Sequence, residues 1–200
     1  MTDAVAVTAL THRQWRLFLI LLGLLLALPL EASAARIELE VTRRDDTFDV
    51  RARAEIDADP IAAWGVLTDY DRLAEFIPGM QESKVVARTG STVIVDQRGD
   101  ATLLFLTFPM RARLEIQEHP FESVVSNAVS GNFKDLHGEY HLKVSGTGMV
   151  LNFSAIFTPD FSFPPLLGTL IVRSAAQRRF AAMVAEIEKT RRAAPVPAAR

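Results

Sequence analysis

The sequence predicts an α+β domain: a curved antiparallel sheet wrapped around a long C-terminal helix, with two short helices after the first strand. Three observations predict it. Residues 48–56 alternate apolar and polar side chains, and a helix start, Asp59-Pro60, follows at once. Between residues 82 and 157, short segments recur between Gly-containing turns, the pattern of an antiparallel meander. From Leu166 to Ile187, apolar residues recur at spacings of three and four.

The first strand places Phe48, Val50, Ala52, Ala54 and Ile56 on one face and Asp49, Arg51, Arg53 and Glu55 on the other. Asp59 can cap the free N–H groups of the helix that follows, and Pro60 suits its first turn. That helix runs to about Thr68, with Ile61, Trp64 and Leu67 on one side. Asp69 is expected to cap a second short helix, Tyr70 to Phe76, which Pro78-Gly79 ends.

Four to six strands come next. Glu82–Arg88 and Thr92–Arg98 flank a turn at Thr89-Gly90-Ser91, and Gly99-Asp100 reads as the next turn. Thr102–Gln117 reads as one long strand, bent or bulged at Pro109. Phe121–Val129, Gly138–Ser145 and Met149–Phe157 complete the meander. The last helix is expected from Pro164-Pro165 to about Thr190, with a stripe of Leu166, Leu170, Ala176, Phe180, Met183 and Ile187 that Arg173 interrupts. A helix of about 25 residues spans nearly 40 Å, enough to cross a sheet.

Composition excludes several classes. With no Cys there is no disulfide framework, thiolate nucleophile or Cys-ligated zinc. A net charge of −2 carries no basic footprint, so no nucleic-acid partner is expected. A 49% apolar content with 12 Phe is too high for a disordered chain. There is no Gly-x-Ser-x-Gly and no phosphate-cradling loop. No catalytic residue, metal or cofactor is assigned.

Residues 17–30 form a greasy block in which only Gly23 and Pro29 are not apolar; Arg13 and Arg16 precede it, and Ala32-Ser33-Ala34 follows. A charged start, an apolar centre and a small-residue exit read as a secretory signal over residues 1–34. A spanning helix needs about 20 apolar residues, and the block is shorter. The domain is then expected over 35–192, acting outside the inner membrane, in a periplasm; an uncleaved leader would instead anchor it. Residues 193–200 read as a disordered tail.

A long helix laid over a strongly curved sheet leaves space that side chains do not fill, a default small-molecule site. Specific residues add to this. Trp64 is followed by Asp69-Tyr70-x-x-Leu73-x-x-Phe76-x-Pro78-Gly79-Met80-x-x-Ser83-x-Val85; a second block is Gly131-x-Phe133-x-x-Leu136-x-Gly138-x-Tyr140-x-Leu142; a third is Phe157-x-Pro159. With these residues, the chain from Phe48 to Lys189 resembles the START-like helix-grip superfamily, and within it the polyketide cyclase/dehydrase and coenzyme Q-binding group. The resemblance implies a cavity fold and a hydrophobic ligand, such as a lipid or an isoprenoid quinone, with transient membrane contact. It does not imply one chemistry.

The aromatic set Phe105, Phe108, Phe153, Phe157, Phe161 and Phe163 is read as a cavity wall, although ordinary core is the plainer reading of any one of them. Trp64, Phe76, Met80, Met110, Leu167 and Leu170 complete the apolar candidates, with Phe76–Met80 and Phe161–Pro165 flanking the mouth. Asp96 and Arg98 share a strand face and could orient a polar head; a solvated face is the alternative. Arg173 could meet an anionic head or keep its charge in water. His137, Glu139 and His141 share a strand face and could hold Fe(II) or Zn(II); the resemblance puts Leu136, Gly138, Tyr140 and Leu142 inside instead. Three functions are therefore carried: non-enzymatic binding or transport, a cyclase or dehydratase using the same cavity, and a membrane-anchored interaction module.

Overall fold

The structure, a computed structural model, describes residues 35–193. The expected leader (1–34) and the tail beyond residue 193 lie outside the described residues. Eight strands form one antiparallel sheet: β1 (Arg36–Arg44), β2 (Thr47–Ile56), β3 (Met80–Thr89), β4 (Thr92–Leu103), β5 (Leu106–His119), β6 (Ser123–Gly131), β7 (Phe133–Ser145) and β8 (Gly148–Pro159). Their spatial order is β1-β2-β8-β7-β6-β5-β4-β3. The helices are α1 (Pro60–Leu67), α2 (Leu73–Phe76), preceded by a 3₁₀ turn at Tyr70–Arg72, and α3 (Gly168–Ala193).

The expected fold class is present. The strand expected first is β2, because β1 forms a hairpin with it from Arg36↔Glu55 to Arg44↔Thr47. The alternation of Ile37, Leu39 and Val41 with Glu38, Glu40 and Thr42 is the signal that could have revealed β1. The two short helices follow β2 and carry the chain to β3, at the far edge.

Against the sheet, α3 makes its main contacts with β1 and β2 on one side and with β4 on the other; it also packs on α1. One helix reaches both sides only if the sheet curves around it. The middle strands stand further off, and that gap becomes the site.

Local chemistry explains most boundaries. Asp59 caps α1, its Oδ1 accepting the Ala62 N–H at 2.8 Å. Asp69 does not cap; its carboxylate pairs with Arg72. Ile61 is exposed, and α1 instead buries Ala63, Val66 and Leu67. The expected turn at Gly99-Asp100 is absent: β4 continues to Leu103 and turns at Leu104-Phe105. Gly99 is there for close approach, since a Cβ on it would lie 2.2 Å from the Gly79 carbonyl. Pro109 lies inside β5 before pairing with β6 begins at Ala112, where a missing N–H costs no bond to that neighbour. α3 starts at Gly168, later than expected. Its buried stripe is Ile171, Val172, Ala175, Phe180, Met183, Val184 and Ile187, while Leu166 and Leu170 are exposed.

Candidate ligand-binding cavity

Two apolar clusters fill the space between sheet and helix. One gathers α1, Leu73, Ile77, Phe180, Met183 and Ile187; the other gathers Phe48, Phe163, Ile171 and Val172. Where they meet, a cavity of about 270 Å³ remains. Strand alternation sends Met110, Leu114 and Ile116 of β5, Leu136 and Tyr140 of β7, and Phe153, Ala155 and Phe157 of β8 inward. α3 closes it with Val172, Ala175, Ala176, Arg179, Phe180 and Met183.

Of the expected apolar candidates, Met80, Met110, Phe153, Phe157, Phe161 and Phe163 line the cavity. The others do not. Trp64 packs against Phe121, ring centroids 5.7 Å apart, because α1 turns that face away. Phe76 lies against the first cluster, while Leu73 and Ile77 take the inward positions. Phe108 sits behind the wall, its ring 4.6 Å from Phe163 and 6.0 Å from Phe161. Phe105, on the hairpin tip, is 87% exposed. Leu167 and Leu170 precede or face away from the buried stripe of α3 and are exposed.

The polar candidates are also displaced. Asp96 and Arg98 lie on the outer face of β4, since Val93, Val95 and Gln97 point inward. Asp96 accepts two hydrogen bonds from Arg113, at 2.6 and 2.7 Å, and Arg98 pairs with Glu82. Arg173 faces solvent. Sequence reasoning missed Arg179, six residues on, which lines the cavity. Its Nη2 donates to the Asp100 carbonyl at 2.7 Å and to Gly79 at 3.4 Å, and its Nε to Pro78 at 3.3 Å. Burial lowers its pKa, opposed by the nearby Asp100 carboxylate.

Tyr140 also lines the cavity. Burial raises the pKa of its phenol, and the Arg179 charge acts in the opposite sense. Tyr70 is raised likewise, first by burial and then by Glu118, whose Oε1 accepts its hydroxyl at 3.1 Å. Gln97 donates to Ser83 Oγ at 3.2 Å, and Ser126 to the Gly138 carbonyl at 3.0 Å.

The first motif block thus has a structural reason. Tyr70 ties the 3₁₀ turn to β5, and the neighbouring Asp71 accepts the Val85 N–H at 2.8 Å, tying it to β3. The Pro78-Gly79 turn is clamped by the Asp100 N–H and by Arg179. The block holds one wall of the cavity in place.

The alternate set on β7 divides as the resemblance implies: Leu136, Gly138 and Tyr140 face the cavity. Glu139 accepts from both imidazoles, His137 at 2.8 Å and His141 at 2.9 Å. These hydrogen bonds, that of His141 the larger, lower its pKa. Among the described residues, no group of three or more His, Asp or Glu side chains could hold a metal ion.

A curved antiparallel sheet gripping one long helix, with an apolar cavity between them, defines a START-like helix-grip domain. Residues 56–184 match the family described as polyketide cyclase / dehydrase and lipid transport, and the chain belongs to it. Solved structures agree on the fold. A STAR-related lipid transfer protein from Xanthomonas axonopodis superposes with a TM-score of 0.61 at 13% identity, covering 78% of this chain and 95% of that one. The Zhui aromatase/cyclase from Streptomyces sp. R1128 gives 0.60 at 11%, covering 73% and 94%. A START superfamily protein from Mycobacterium smegmatis gives 0.55 at 12%, covering 72% and 97%. No curated protein matches the sequence.

Proposed function

We propose that this protein binds and carries a hydrophobic small molecule, a lipid or an isoprenoid quinone, without transforming it. The observation that carries this reading is the chemistry of the cavity wall. Among the described residues, that wall contains no carboxylate and no histidine. Its titratable groups are two phenols and one guanidinium, and burial keeps both phenols protonated. Cyclisation or dehydration of a polyketone is best served by a group that exchanges a proton near neutral pH. Apolar burial alone suffices for carriage: hiding about 300 Å² of ligand yields roughly 7 kcal/mol before ordering costs.

Loading from a membrane fits the exposed apolar residues at one end. Leu104 and Phe105 cap the β4–β5 hairpin at 85% and 87% exposure, and Leu166, before α3, is 94% exposed. Both segments flank the cluster of Phe108, Phe161 and Phe163 beside the cavity. We place the carrier outside the cytoplasm, on the strength of the leader over residues 1–34.

Native mass spectrometry with lipid extraction, on protein from a periplasmic fraction, tests the reading. A bound mass of a few hundred daltons and a polypeptide lacking residues 1–34 are expected. An empty protein that stays empty after incubation with quinones and fatty acids overturns carriage.

A further inference from the structure

The cavity wall is largely apolar, and at one place two donors go unused. Arg179 is the only charged side chain lining it among the described residues. It forms no ion pair there. Its Nε and Nη2 are spent on three backbone carbonyls, and Nη1 donates to no described residue. The Asp100 carboxylate, whose charge favours the protonated guanidinium, makes its hydrogen bonds elsewhere, accepting from Thr102 Oγ1 at 2.9 Å and from Gln81 Nε2 at 3.1 Å. The half-buried guanidinium is therefore held by backbone carbonyls and by the Asp100 field without a direct ion pair, and an anion in the cavity would complete its coordination.

Tyr140 supplies the second donor. Its ring packs tilted against Phe153, centroids 4.7 Å apart, and its hydroxyl makes no hydrogen bond to a described residue. Burial keeps the proton on it, and the charge of Arg179 is felt there. The other polar linings, Gln97 and Ser126, are already engaged. One fixed charge and two free donors, set in an apolar wall, complement an oxyanion with two acceptor oxygens on an apolar body.

We propose that the cavity selects carboxylate-bearing amphiphiles, the carboxylate seated on Arg179 and Tyr140 and the apolar body lying among Phe153, Phe157 and Phe180. This rests on the carrier reading and names the class of its ligand.

The test is a competition on the full chain, loaded with the neutral fluorophore N-phenyl-1-naphthylamine. Decanoate and 1-decanol share one apolar body and differ at the head. Decanoate is expected to displace the fluorophore at about tenfold lower concentration, the worth of one charge-assisted contact. In Arg179→Gln the ratio of the two competitors falls toward one. Arg179 also clamps the Pro78-Gly79 turn, so that variant is read beside Tyr140→Phe, which breaks no hydrogen bond to a described residue and is expected to lower the ratio severalfold. Equal competition by acid and alcohol in the unaltered protein, or full acid preference in either folded variant, overturns the proposal and leaves carriage standing. No uptake of the fluorophore, and no competition by either compound, overturns carriage itself.

Discussion

Arg173 and Arg179 sit six residues apart on one helix and meet opposite environments. At about 100° per residue, that separation turns the second side chain well away from the first. Arg173 stays in water, and Arg179 enters the cavity. On β4, where the period is two, Gln97 points inward between Asp96 and Arg98. The outward acid is a well-made surface pair, and surface pairs contribute little. The outer face still has a pH signature. His141 and His137 hold the Glu139 carboxyl below the usual glutamate range. A group whose folded pKa is depressed contributes stability above its unfolded pKa, and loses it as pH falls through the folded value. Acid melting of the unaltered protein is therefore expected to steepen below about pH 4.3, the ordinary glutamate value. Glu139→Gln is expected to lower the melting temperature slightly at neutral pH and to flatten that limb, the two proteins converging at low pH; thermal melts from pH 7 to pH 2.5 check it.

The elements differ in how tightly their neighbours constrain them. Gly65 in α1 has no atom within 4 Å of where a Cβ would stand. Gly65→Ala is expected to stabilise by roughly 0.4–1 kcal/mol, since alanine restricts the unfolded chain and favours helix. Gly99 in β4 is the reverse. The β3 entry turn crosses it so closely that the Gly79 carbonyl occupies the position of a Cβ, and the Asp100 N–H bonds that same carbonyl at 2.7 Å. Gly99→Ala should cost about 1–3 kcal/mol, because backbone rather than a flexible side chain must move. Urea unfolding of the two variants measures both. The same crossing explains why a glycine that reads as a turn in the sequence lies inside a continuous strand.

At the scale of the molecule, the decisive feature is the separation of α3 from the middle strands. Ala155 of β8 lines the resulting space, next to Gly138 of β7 and opposite α3. Ala155→Phe is expected to fill it, reducing fluorophore uptake at least about tenfold. Cooperative unfolding is retained, because added volume in a real cavity costs less than in a filled core. Unchanged uptake in that variant would place the ligand elsewhere.

Much of this architecture was legible along the chain. Alternation marked β2 and the meander, Asp59-Pro60 marked α1, and the spacing of Phe180, Met183 and Ile187 marked α3. These patterns are local: side-chain period follows from backbone geometry, and a cap needs only its own turn. The sequence by itself determined the element types, the fold class and an apolar interior. Only the tertiary structure decided which aromatic residues form the wall and which polar group enters it. Phe105, Phe108 and Phe153 look alike in the sequence, yet one is on a hairpin tip, one behind the wall and one inside. Their placement depends on sheet curvature and on the rotation of α3, which arise from contacts between residues far apart in the chain.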